Sequence, residues 1–306
     1  MSHEPKPSGP SPRDPEPARG PGSPAHATRA PIVVRRPRIE LTAPSDSGEV
    51  RGVPKYWWGG DPFRTHFLNG FSSTLPFGEA FFVRSVRYYA DRVKDPELRA
   101  QIRLFAAQEG QHSRLHDRHV DLLLEQGYAA LATRNRVVDR MMRWHSRRMP
   151  ALSLAATAAL EHLTAILARQ ILRDPQGWTD DMDPEMARLW RWHALEEAEH
   201  KAVAFDVLME VAPGRLRRCY VMAINSLVLI VELLDRMAYM LWKDGLLFRG
   251  RLWLDGLRFL FGRGGFLRGM GRDYRAWYRK DFHPDDVDDR ALIERHAPRV
   301  AAEAIG

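Results

Sequence analysis

Glu109-Gly110-Gln111-His112 and Glu197-Ala198-Glu199-His200 are the stretches whose reading decides the fold. Each sets a carboxylate and an imidazole three residues apart. On a helix that spacing aims both side chains off one face, within reach of one ion. Of the 12 histidines in the chain, these alone have a glutamate three positions upstream. A lone glutamate in an apolar, helix-like segment precedes each motif: Glu79 before the first and Glu161 before the second. Glu, Glu-x-x-His, Glu, Glu-x-x-His is the order by which carboxylate four-helix bundles hold a pair of metal ions. One such tetrapeptide arises readily by chance. Two of them, each with its upstream partner, predict an all-α chain organised around a dinuclear site.

Electrostatics supports the same expectation. Glu79, Glu109, Glu161 and Glu197 carry four negative charges, which two divalent cations neutralise. An apolar interior tolerates that set only when it is balanced. Oxygen-rich sites with a few imidazoles suit iron first and manganese second, whereas zinc prefers fewer carboxylates and is the poorer fit. The expected cofactor is therefore two Fe ions, with Mn as the alternative. His193 falls on the stripe of Glu197 and His200 and is read as a third imidazole ligand. The expected metal set is Glu79, Glu109, His112, Glu161, His193, Glu197 and His200. His116, one turn past His112, is expected to hydrogen-bond a ligand carboxylate from outside that set. His162 neighbours Glu161 in sequence and so points elsewhere, in a structural or surface role. Glu196 and Glu199 are assigned to other faces, Glu199 to solvent in preference to a pairing with an arginine behind the site.

The rest of the chain divides around these motifs. Residues 1–50 hold 11 of the 21 prolines and almost no aromatics, the composition of a disordered segment. Ile32–Val34 and Ile39–Leu41 within it are candidates for extended contacts with the domain. A helical domain is expected over 51–285 and a polar tail over 286–306. Tyr56-Trp57-Trp58 reads as an aromatic lid on the bundle end. Asp95-Pro96-Glu97 and Asp183-Pro184-Glu185 are strong helix starts: a capping Asp, Pro at the first helical position and acid in the first turn. They predict helices to about Gln126 and about Val211. Further helices are expected from the Ser72–Pro76 region to about Val93, over Arg134–Arg148, over Leu152–Leu172 and from Leu216 to about Lys243. The apolar run Tyr220–Val231 is too short to cross a membrane and predicts a buried core helix.

A formal charge of +7 comes without any nucleic-acid-binding signature, so nucleic acid is not an expected partner. One cysteine, Cys219, rules out an internal disulfide and makes a reducing, cytoplasmic setting the default. No apolar leader is visible near the N-terminus.

At these residues the chain resembles a bacterial family catalogued as predicted metal-dependent hydrolases. The resemblance covers roughly residues 50–285. It rests on Phe71-Ser72 through Pro76-Phe77-Gly78-Glu79-Ala80-Phe81-Phe82, on Gln108–Ser113 with His116, on Trp192–Lys201 and on Phe282-His283-Pro284. The ligand pattern is also similar to that of di-iron arylamine N-oxygenases of the ferritin-like superfamily, and all seven positions carry the matching residue type. These resemblances imply a ferritin-like four-helix bundle with additional C-terminal helices. The leading expectation is a dinuclear non-haem iron oxygenase or oxidase, taking a small organic substrate, dioxygen and an electron donor. The alternatives are a metal-dependent hydrolase and a non-enzymatic metal-binding or membrane-surface protein. The apolar C-terminal helices are open to three roles: a peripheral membrane contact, a channel for an apolar substrate, or a homodimer face.

Overall fold

The computed structural model describes residues 29–45 and 51–305. Residues 1–28 of the Pro-rich segment lie outside the described residues. Helices in order are α1 Pro62–Ser72, α2 Leu75–Arg87, α3 Pro96–Glu125, α4 Ala130–Arg148, α5 Pro150–Arg173, α6 Pro184–His200, α7 Val203–Val211, α8 Arg215–Lys243, α9 Gly250–Phe261, α10 Met270–Ala276 and α11 Arg290–Ile305. Among the described residues the one β pairing is the isolated bridge between Trp58 and Met182. The protein is all-helical.

Local chemistry sets the helix starts. Asp95 and Asp183 cap α3 and α6 by accepting from the Glu97 and Glu185 amides, with Pro next in line as expected. Asp61-Pro62 uses the same device to open α1. α2 packs along α3 and α5 along α6, while contacts of α2 with α5 and of α3 with α6 draw these four helices together. α5 is apolar on every side because it is surrounded. It is long and apolar enough to cross a membrane, yet 78% of its most apolar window is buried inside the protein. In the aromatic segment Trp57 and Trp58 are buried. Trp57 Nε1 donates to Asn69 Oδ1 at 2.8 Å and Trp58 Nε1 to the Trp178 carbonyl at 3.0 Å. Asp244, at the end of α8, accepts from Tyr56 and Tyr128 and lies 2.6 Å from Lys55 Nζ.

Four expectations change. α8 is not a buried core helix. Val221, Met222, Met237, Met240 and Leu241 face inward, whereas Leu216, Tyr220, Ile224, Leu227, Val228, Ile230, Val231 and Leu234 are exposed. Within that run only Asn225 and Ser226 interrupt the apolar residues, too few to mark an outer side, so the sequence could not show this. The tail after 286 contains α11, which packs on α6 and α5 and buries Ile293 and Val300. Residues 29–45, assigned to the disordered segment, lie against the helices as extended chain with Ile39 and Leu41 buried. The helix expected to run to Val211 ends at His200. Lys201 and Ala202 form a turn before α7, and Lys201 Nζ is tied to the Val287 carbonyl and Asp289.

Candidate metal centre

Four helices each deliver part of one buried cluster. Glu79 comes from α2, Glu109 and His112 from α3, Glu161 from α5, and His193, Glu197 and His200 from α6; none is more than 3% exposed. His200 Nε2 lies 3.0 Å from Glu109 Oε1, 3.3 Å from Glu161 Oε2 and 3.7 Å from Glu197 Oε2. The other oxygen of Glu197 is 3.3 Å from His193 Nε2 and 3.7 Å from His112 Nδ1. Glu79 Oε1 is 4.0 Å from His193 Nδ1, and Glu109 Oε1 is 3.8 Å from His112 Nδ1. Donor atoms of Glu109, Glu161 and His200 lie within 4.8 Å of one another, as do those of His112, His193 and Glu197, and those of Glu79, Glu109 and His112. Glu109 and Glu197 thus each face both an end centred on His200 and an end shared by His112 and His193.

These approaches are not aligned as hydrogen bonds. Both oxygens of Glu79, of Glu109 and of Glu161 are buried without a hydrogen-bond partner, as are His112 Nδ1, His193 Nε2 and His200 Nε2. Nine unpaired polar atoms converging on one interior point would be costly if nothing joined them. Cations bound by carboxylate oxygens and imidazole nitrogens would satisfy them. The residues fit a dinuclear metal group.

The remaining ring nitrogens are held from outside. His200 Nδ1 meets Gln108 Oε1 at 2.9 Å, His112 Nε2 meets Glu196 Oε2 at 3.2 Å, and His193 Nδ1 meets His116 Nε2 at 3.1 Å. Ser72 Oγ lies 2.7 Å from Nδ1 of both His116 and His119. Thr164 Oγ1 donates to Glu197 Oε2 at 2.5 Å. Such contacts fix which nitrogen of each ring faces inward.

Protonation follows the crowding. Burial first, then the neighbouring carboxylates, pushes Glu79 and Glu109 well above the usual range, and burial lifts Glu161 to about 7. Burial works on Glu197 too, but His200, His193 and His112 overcome it and hold that carboxyl at about 2. Burial drives His112 and His193 down to about 3. His200 goes the other way, because Glu197, Glu109 and Glu161 outweigh its burial.

All seven expected residues meet in this cluster. Several neighbours differ from expectation. Glu199 is buried, not solvated: its carboxylate pairs with the Arg35 guanidinium at 2.7 Å and accepts from Gln108 Nε2 at 2.9 Å. Glu196 is buried against His112 and accepts from the Arg35 amide at 2.9 Å. His116 bonds His193 and Ser72, not a carboxylate, and its donor atom groups with those of Glu79 and His193 within 4.8 Å. His162 has a structural place, 3.0 Å from the Asp273 carbonyl and stacked on Trp277. Sequence reasoning missed Gln108, Thr164, Ser72 and Arg35. Gln108 and Ser72 carried a signal, each standing within a stretch quoted for the family resemblance.

The family model for a predicted metal-dependent hydrolase matches residues 45–288. The chain belongs to this family. That match favours the hydrolase alternative, and nothing in it supports the oxidoreductase expectation. No curated protein and no solved structure matches the chain.

Proposed function

We propose that the protein is a hydrolase that works through a dinuclear metal centre held by Glu79, Glu109, His112, Glu161, His193, Glu197 and His200 on a ferritin-like bundle. The observation that carries the reading is the convergence of nine unpaired polar atoms from four helices, in a chain whose family is described as metal-dependent hydrolases. When bound there, a pair of divalent cations would activate water and polarise the carbonyl or phosphoryl group of a substrate. The protein contributes the rest. Glu109 and Glu197 face both ends of the cluster and would hold both cations. Gln108, Glu196 and the His116–Ser72 pair hold the three rings, and Thr164 fixes one oxygen of Glu197. The surrounding apolar helices exclude bulk water. A small organic substrate and a cytoplasmic location belong to the same proposal.

A second reading, dioxygen-dependent oxidation at two irons, draws on the donor set itself: four carboxylates and three imidazoles, nearly dry, suit iron better than zinc. The test is hydrolysis of p-nitrophenyl acetate and bis(p-nitrophenyl) phosphate by protein loaded with zinc, manganese or iron under nitrogen. The hydrolase reading expects metal-dependent turnover of one of them without dioxygen. Absence of hydrolysis with every metal, together with dioxygen uptake by the reduced iron form, would replace it with the oxidative one.

A further inference from the structure

Two adjoining hollows lie between the outer surface and the cluster, the inner one lined by Thr164, which bonds Glu197. α4 packs on α2, α3 and α5, and α8 packs on α1 and α5; α4 and α8 meet at one end, where Arg134 pairs with Asp235 and Asn135 accepts from Arg236, and a hollow lies between them beyond it. An outer hollow of about 380 Å³ opens there, rimmed by the exposed side chains of Met141, Trp144, Tyr220 and Ile224. Val138, Met142, Asn225, Val228 and Glu232 line both it and an inner hollow of about 70 Å³. Phe71, Phe77, Phe82 and Leu160 form the inner walls, with Gly78 and Thr164 at the floor. Thr164 ties this inner hollow to the cluster, since its hydroxyl donates to Glu197 Oε2. At Gly78 an added Cβ would meet only Phe82 Cζ, at 4.0 Å, so this glycine leaves the floor open.

From this shape we infer that the site takes substrates with an unbranched apolar chain, the reacting group at the floor beside Thr164 and the chain trailing outward between α4 and α8. The assignment rests on the hydrolase reading for its chemistry but on the funnel for its specificity. The inner hollow, about 70 Å³ against about 380 Å³ for the outer one, suits a slim chain better than a broad ring. The apolar walls reward each methylene removed from water. Asn225 and Glu232 lie where the two hollows meet, and Glu232 is ion-paired with Arg236.

The experiment is calorimetric binding of butan-1-ol, hexan-1-ol and octan-1-ol to metal-free protein, which needs no turnover. Affinity should rise by up to about fourfold per added methylene. Gly78→Leu, which fills the floor, and Val228→Trp, which blocks the junction from an exposed position, should each lower octan-1-ol affinity at least tenfold. Leu257→Ala, on the exposed face of α9, should leave it unchanged. Either blocked variant keeping wild-type affinity while its circular dichroism is native, no chain-length dependence, or an equal loss in Leu257→Ala overturns the inference. Chain-length-dependent binding without hydrolysis of any ester would remove the hydrolase reading and leave the funnel standing. Hydrolysis without such binding would do the reverse.

Discussion

His200 shows at one side chain what the cluster demands. Its Nε2 faces Glu109, Glu161 and Glu197 while Gln108 holds its other nitrogen. In the metal-free protein this ring and the Glu79 and Glu109 carboxyls hold protons more tightly than usual, and Glu161 titrates near 7. Cations compete with those protons. Lowering the pH through 7 protonates Glu161 and weakens metal binding; raising it strengthens binding. His112 and His193, held down at about 3, do not compete above pH 4. Calorimetry at pH 7 in buffers of different ionisation enthalpy should therefore register net proton release on metal binding, with affinity rising from pH 6 to pH 8. Affinity that is flat across this range would contradict the electrostatic account. Five of the cluster residues were legible because helical spacing links Glu to His within one or two turns, and Glu79 and Glu161 because each stands alone in an apolar helix upstream of a motif. Glu199 was not: the Arg35 that holds it lies 164 positions away, beyond anything periodicity reports.

Elements differ in how openly they announce themselves. α3 and α6 declared their starts through Asp-Pro-Glu, since capping and Pro at the first position are local chemistry. The break between α6 and α7 was silent, because no Gly or Pro marks it and the anchors of Lys201 come from Val287 and Asp289. The extended segment at 29–45 was half legible, through Ile32–Val34 and Ile39–Leu41. That segment is fastened to α6 at Arg35, whose amide and guanidinium engage Glu196 and Glu199. Arg35→Ala would leave Glu199 buried with Gln108 and the Val33 amide as its remaining partners. A loss of about 1–3 kcal/mol in unfolding free energy is expected, measured by urea titration. A change under about 0.5 kcal/mol, typical of a surface substitution, would mean the strap does not depend on this pair.

Across the whole molecule, polar and apolar side chains are placed against the usual grain. The interior holds a charged cluster, while α4, α8 and α9 show apolar side chains such as Trp144, Leu227 and Phe261 to the outside. Both departures make sense together if the buried carboxylates hold cations and the apolar hollow between α4 and α8 leads to them. The all-helical class followed from spacing alone. The inward and outward faces of α8 did not, since they depend on what packs against it. The central claim is that the interior cluster is a two-metal centre. Metal content of purified protein, measured by inductively coupled plasma mass spectrometry for wild type, Glu109→Ala and Glu197→Ala, tests it most directly. The account predicts about two ions per wild-type chain and near-complete loss in both folded variants; a wild-type chain that takes up no metal, or variants that keep the full complement, would contradict it.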